Sequence, residues 1–203
     1  MKRFSKKLIT AIAIILTFLF AGIVKDKMQL RRDMIRLHVV ANSNTEADQK
    51  VKRQVRDAVL STLRSSIPNG CDASMAKDYI HQNIPQLEAA ANAVLESAGF
   101  DDRAAVSLLN EEYPVRHYET FSLPSGVYQS LKVVIGSGEG ENWWCVVFPN
   151  LCEPVTTDAF HKTSESSGIS ATLDNALCVD RKYEIRFFLL DCLGKIENFF
   201  RFG

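Results

Sequence analysis

Apolar residues are continuous at the amino terminus and periodic beyond it. The run Leu8–Val24, LITAIAIILTFLFAGIV, carries no charge, and Lys2, Arg3, Lys6 and Lys7 precede it. A basic head before an unbroken apolar run predicts an export signal or a signal anchor. Its length is at the short end of what crosses a bilayer as a helix. Ala21 offers a small residue at a cleavage point, whereas Lys25 and Lys27 suit the outer flank of a retained anchor. The chain therefore divides into residues 1–27, a signal peptide or signal anchor, and residues 28–203, one domain. The positive-inside bias places that domain outside the cytoplasm.

Past the apolar run the pattern changes period. MIRLHVVA at 34–41 is short and rich in β-branched residues, which predicts a central strand. Val51, Val55, Val59 and Leu63 then recur at helical spacing. Asn44 or Thr45 suits the cap, with Glu46 and Asp48 in the first turn. Pro68, Asn69 and Gly70 stop this helix. A second helical region covers about 74–97, kinked or divided at Pro85 and closed by Gly99. Strand-like segments follow at 104–113, 115–123, 127–136 and 143–148. The polar stretch 153–175 predicts a long loop, and KYEIRFFLLDCL at 182–193 predicts a last strand. Neighbouring strands with short turns predict an α+β fold: a mostly antiparallel sheet with two or three helices packed on one face.

Composition narrows the function. Twenty-four basic residues balance 24 acidic ones, so no positive field marks a nucleic-acid binder. Glycines 136, 138 and 140 precede an aromatic strand rather than a helix, which removes a phosphate-cradle reading. No cysteine pair has the close spacing of a zinc knuckle, so no metal and no cofactor is expected. Cys145 and Cys152 enclose a short loop containing Pro149. They meet as a disulfide if the chain reverses at FPNL; otherwise Cys145 is a small core residue, the slightly better reading. A thiol nucleophile would need Cys145 beside a base such as His38 or His117. Trp143 and Trp144 stand side by side, so pleating sends one ring to each face of the strand. One can fill the core while the other faces outward as a recognition anchor, or both rings are covered by the sheet's own helix and loop.

MIRLHVVANSN at 34–44, VKRQVRDAVL at 51–60, GEGENWWCVVFPNLC at 138–152 and YEIRF at 183–187 together resemble the stage II sporulation protein R family. The resemblance implies a non-enzymatic signalling protein of endospore formation. Such a protein is exported by the forespore into the space between forespore and mother-cell membranes. There it activates a membrane-embedded aspartic protease of the mother cell, which trims the precursor of sigma-E. Stretch 153–175 matches nothing in that pattern, and no catalytic residue is implied.

Two functions follow as expectations. The first is an extracytoplasmic ligand for the membrane protease, contacting it through an outward tryptophan (Trp143 or Trp144), the Asn42–Asn44 loop and the turn that holds Glu141. Membrane contact would run through residues 8–24, and no nucleic acid takes part. The second is a secreted thiol or cell-wall hydrolase built on Cys145 and His38.

Overall fold

The computed structural model describes residues 2–68, 71–150, 152, 157–178 and 185–202. Helix α1 (Lys2–Asp33) runs straight through the 27/28 boundary. Its first part is long and apolar enough to cross a membrane, and residues 8–20 stand exposed. Ile23, Asp26 and Leu30 are instead buried against the domain. The Met34 amide closes on the Leu30 carbonyl at 3.1 Å, and strand β1 (Ile35–Val40) begins at once.

All six residues of β1 are buried, because strands flank it and helices cover both of its faces. Helix α2 (Glu46–Ser66) is capped by Thr45, whose Oγ1 accepts from the Asp48 amide. Helices α3 (Ala73–Gln82) and α4 (Ile84–Ser97) divide at Asn83, just before Pro85, and Gly99 takes φ +77° after α4. Strands β2 (Ala104–Tyr113), β5 (Gly126–Ile135) and β6 (Asn142–Phe148) complete the sheet, in the order β2-β5-β1-β6. The segment expected as a strand at 115–123 forms only a small ribbon, β3 (Arg116–His117) with β4 (Ser122–Leu123), because Tyr118–Phe121 turns back on itself.

The expected architecture needs four corrections, and seven helices stand among the described residues where two or three were expected. First, β1 pairs with β5 in parallel and with β6 antiparallel, so the sheet is mixed. The long crossover through α2–α4 and β2 permits that parallel pair. Second, helices lie on both faces. Leu37 and Val39 face α2–α4, together with Leu131, Val133 and Cys145. Arg36 and His38 point the other way, toward the face where Tyr128 and Val146 meet α1 and the last three helices. Third, stretch 153–175 is not a loop where it is described. It forms α5 (Thr157–Ser166) and the start of α6 (Ala171–Leu177), held by sparse anchors at Phe160, Ile169 and Leu173.

The expected last strand is also a helix, α7 (Ile185–Phe202); the beginning of the predicted strand, 182–184, lies outside the described residues. Its buried side is Leu190, Asp191, Gly194 and Asn198, a helical spacing made largely of small and polar residues. Its large apolar residues mostly point outward, so the usual periodic signature is inverted.

Candidate functional site

The Asn42–Asn44 loop and the 136–141 turn, far apart in sequence, form one tip at the end of β1 opposite α1. Asn42 Oδ1 accepts from the Ser137 amide at 2.9 Å, and Asn44 Oδ1 accepts from the Glu141 amide at 2.7 Å. Lys52 Nζ, buried on α2, donates to the Glu141 carbonyl at 2.8 Å. Burial pulls the Lys52 ammonium below its ordinary range, with the Glu141 charge opposing. Close approach requires glycine here: a β-carbon on Gly140 would overlap the Ser43 carbonyl, and Gly136 takes φ +56°. Asn42 and Asn44 thus use their side-chain oxygens to brace the tip, whereas Glu141 stands exposed on it. A tip braced in this way loses little conformational entropy on meeting a partner.

Trp143 and Trp144 continue from that tip along β6, the sheet's edge strand. They face opposite ways, and neither ring points freely into solvent: both are half-buried. Trp143 packs at the margin of the α2–α4 core, with the Arg56 guanidinium 4.2 Å above its ring and, among the described residues, no partner for its buried Nε1. Trp144 stacks on His38 with centroids 3.7 Å apart and meets Tyr113 edge-on at 4.6 Å. Both rings line a cleft of about 660 Å³ between α2 and the 117–121 segment.

Beneath Trp144 lies a polar cluster that spans all four strands of the sheet. His38 Nδ1 sits 2.9 Å from Glu111 Oε2, and His38 Nε2 sits 2.8 Å from Asn142 Oδ1. Lys132 Nζ and Ser130 Oγ also donate to Glu111, at 2.7 and 2.9 Å. Burial pushes the Glu111 carboxyl up, but hydrogen bonds from His38, Lys132 and Ser130 and the His38 charge outweigh it and hold it at about 2. The folded value is below the ordinary 4.5, so this group's stabilisation is present above pH 4.5 and is lost as pH falls toward 2. Glu111→Gln should therefore lower unfolding free energy by about 2–3 kcal/mol at neutral pH and by almost nothing near pH 2. Denaturant unfolding in detergent across that range checks it; a constant deficit at every pH would contradict it.

Next to this cluster Arg36 is fully buried. Its guanidinium lies 3.9 Å from the Tyr113 ring centre and 4.9 Å from that of Tyr128. Nη2 donates to Tyr118 Oη at 3.2 Å, while Nε and Nη1 have no partner among the described residues. Sequence reasoning did not single out Arg36, Glu111, Tyr113, Ser130 or Lys132. A signal was present: Arg36 and His38 alternate within an otherwise apolar central strand, which puts two polar groups on one face.

Cys145 and Cys152 are joined, with α-carbons 5.1 Å apart, so Cys145 is not the free core thiol that the sequence favoured. The hydrolase pair does not form either. Cys145 faces α2–α4, whereas His38 faces the opposite side of the sheet and is held by Glu111 and Asn142. His117 Nδ1 lies 2.8 Å from Ser122 Oγ. Among the described residues no group of three or more His, Cys, Asp or Glu is placed to hold a metal. Removing the short disulfide loop with Cys145→Ala/Cys152→Ala should cost about 2 kcal/mol through denatured-state entropy. Thermal unfolding with and without reductant tests this; an unchanged midpoint in both would contradict it.

The sequence model described as Stage II sporulation protein R matches residues 31–158. Stage II sporulation protein R of Bacillus subtilis (strain 168) is 33% identical over 118 residues, which is 58% of this chain and 53% of that protein. The match thus spans about half of that relative's length. No solved structure matches the chain. The tip, both tryptophans and the His38–Glu111 cluster all fall inside the matched stretch.

Proposed function

The chain belongs to the stage II sporulation protein R family, and from that premise we propose that it is an exported signal of endospore formation. The forespore delivers it to the space between the two membranes. There it binds a membrane-embedded aspartic protease of the mother cell and switches on processing of the sigma-E precursor. Delivery agrees with α1, whose apolar first part is compatible with a signal peptide or anchor.

The observation that carries this reading is the polarity of the molecule. Helix α1 enters β1 at one end, and the braced tip follows its other end, six residues on, about 20 Å away. A protein held or delivered at one membrane in this orientation presents Asn44, Glu141 and the tryptophan cleft away from it. That direction suits a partner in the facing membrane.

The chain contributes shape rather than chemistry. Activation requires the tip and cleft to bind the active arrangement of the protease more tightly than the inactive one. The preformed tip helps because a rigid surface discriminates between two partner shapes at low entropic cost. Purified full-length protein, added in detergent to the purified protease and sigma-E precursor, should start cleavage in proportion to its concentration. Cleavage at the same rate without it, or none at any concentration, would overturn the reading.

A further inference from the structure

Helix α7 lies beyond the family match and closes the end of the sheet at which α1 arrives. Ser125, just before β5, donates from its amide and its Oγ to Asp191 Oδ1 at 3.0 and 2.6 Å. Gly194 packs so closely on Ser125 that a β-carbon would overlap the Ser125 carbonyl. Lys195, Asn198 and Phe199 border Pro114 and Val115, just past the end of β2. On the other side Lys27 of α1 donates to the Leu193 carbonyl at 2.8 Å and pairs with Glu197 at 2.8 Å, and Arg31 reaches the same carboxylate at 3.4 Å. Every one of these contacts is at the α1 end of the sheet.

The inner face of α7 is therefore spent on Ser125, Lys27 and Arg31. Its outer face carries Phe188, Ile196, Phe199 and Phe200, which are 65, 53, 71 and 81% exposed. From Phe188 to Phe200 this stripe extends about 18 Å. A contiguous exposed stripe of large apolar side chains is rare on a soluble monomer and marks an interaction surface. Exposed Lys195, paired with Asp191 at 2.8 Å, borders it.

We propose that this outer face of α7 lies in the interfacial layer of the bilayer that α1 enters, with its phenylalanines sunk at the boundary between headgroups and acyl chains. The occupant follows from continuity. The exposed apolar half of α1 and the exposed stripe of α7 leave the domain at the same end, and α1 is the segment long and apolar enough to enter a bilayer. An amphipathic helix with a large apolar face and a cation at its border is the chemistry that binds such a surface. The attachment would fix the domain upright, with its tip directed away, and would persist if α1 were cut within its exposed half. This goes beyond the protease reading and does not depend on it.

The test is spin-label accessibility on the full-length chain in vesicles of phosphatidylethanolamine and phosphatidylglycerol. Ile196→Cys and Phe199→Cys, each made with Cys192→Ser, carry the label, and Lys50→Cys on α2 is the aqueous control; Cys71 and Cys178 are buried. Labels at 196 and 199 should collide more with lipid-soluble oxygen than with a water-soluble nickel chelate, and the label at 50 should show the reverse. A nickel-dominated signal at 196 and 199 would place the stripe in water and overturn the proposal. Exclusion of both reagents would mean that a protein surface covers it, a second copy of this chain included, and would overturn it equally. Circular dichroism and protease resistance equal to the parent establish that each labelled chain is folded.

Discussion

Trp144→Ala should cost the domain about 3 kcal/mol, and Trp143→Ala clearly less, about 1–2 kcal/mol. The difference comes from what each ring covers. Trp144 lies flat on His38 and edge-on to Tyr113, and it roofs the Glu111 cluster. Its loss lets water reach His38 and Glu111, which are arranged to satisfy one another without it. Trp143 lies at the margin of the other core, under the long Arg56 side chain, so truncation there opens less of the core. Denaturant unfolding of the two variants measures the gap. Equal losses, or the larger loss at Trp143, would contradict the assignment of Trp144 as the structural ring.

The second large effect has the opposite sign. Arg36→Met should stabilise the protein by about 1–2 kcal/mol, although it removes two cation–π contacts. A fully buried guanidinium costs several kcal/mol unless paired, and an apolar side chain of similar volume relieves that cost. Among the described residues no carboxylate pairs with Arg36, and Nε and Nη1 are without partners. The rings of Tyr113 and Tyr128 return only about 1–2 kcal/mol each at best. Arg36→Ala is the contrast: it removes the charge but leaves a cavity under Tyr113 and Tyr128, so it should be neutral or destabilising. A loss of stability in the methionine variant would contradict the buried guanidinium as a net cost.

Much of the first half of the fold was legible in the sequence because its signals are local. The α2 period, the Thr45 cap, the break before Pro85 and the Gly99 closure each rest on a few adjacent residues. The glycines at 136, 138 and 140 likewise marked the turn before β6, which passes over β1 rather than closing a hairpin. The parallel pairing of β1 with β5 was not legible, since it depends on where a long crossover lands. The helices on the second face were hidden for different reasons. Phe160, Ile169 and Leu173 are too sparse in a polar stretch to show a period, and α7 buries Asp191 and Gly194 while exposing its phenylalanines.

Of the candidate site, the sequence located the Asn42–Asn44 loop, Glu141 and the tryptophan pair but not their adjacency. That is set by the register of β1 against β6, where Val39 pairs with Trp143 and His38 with Trp144. The expectation that one tryptophan would point outward fails because each face of β6 has its own cover. Arg56 lies over Trp143, and Arg116 approaches Trp144 at 5.3 Å. The asparagines brace the tip, so Asn42→Ala reports on tip order, whereas a change at exposed Glu141 tests the proposed contact.

Site-specific photo-crosslinking tests the tip most directly. A photoreactive residue replaces Glu141 at the tip or, as the control, exposed Lys77, which lines a hollow beside Met28 and Arg31 of α1. Each full-length variant is irradiated with the membrane-embedded protease under conditions in which the sigma-E precursor is being processed. Recognition through the tip requires an adduct with the protease from position 141 and none from position 77. An adduct from 77 alone, with both variants still supporting processing, would contradict it by placing recognition at the α1 end of the molecule.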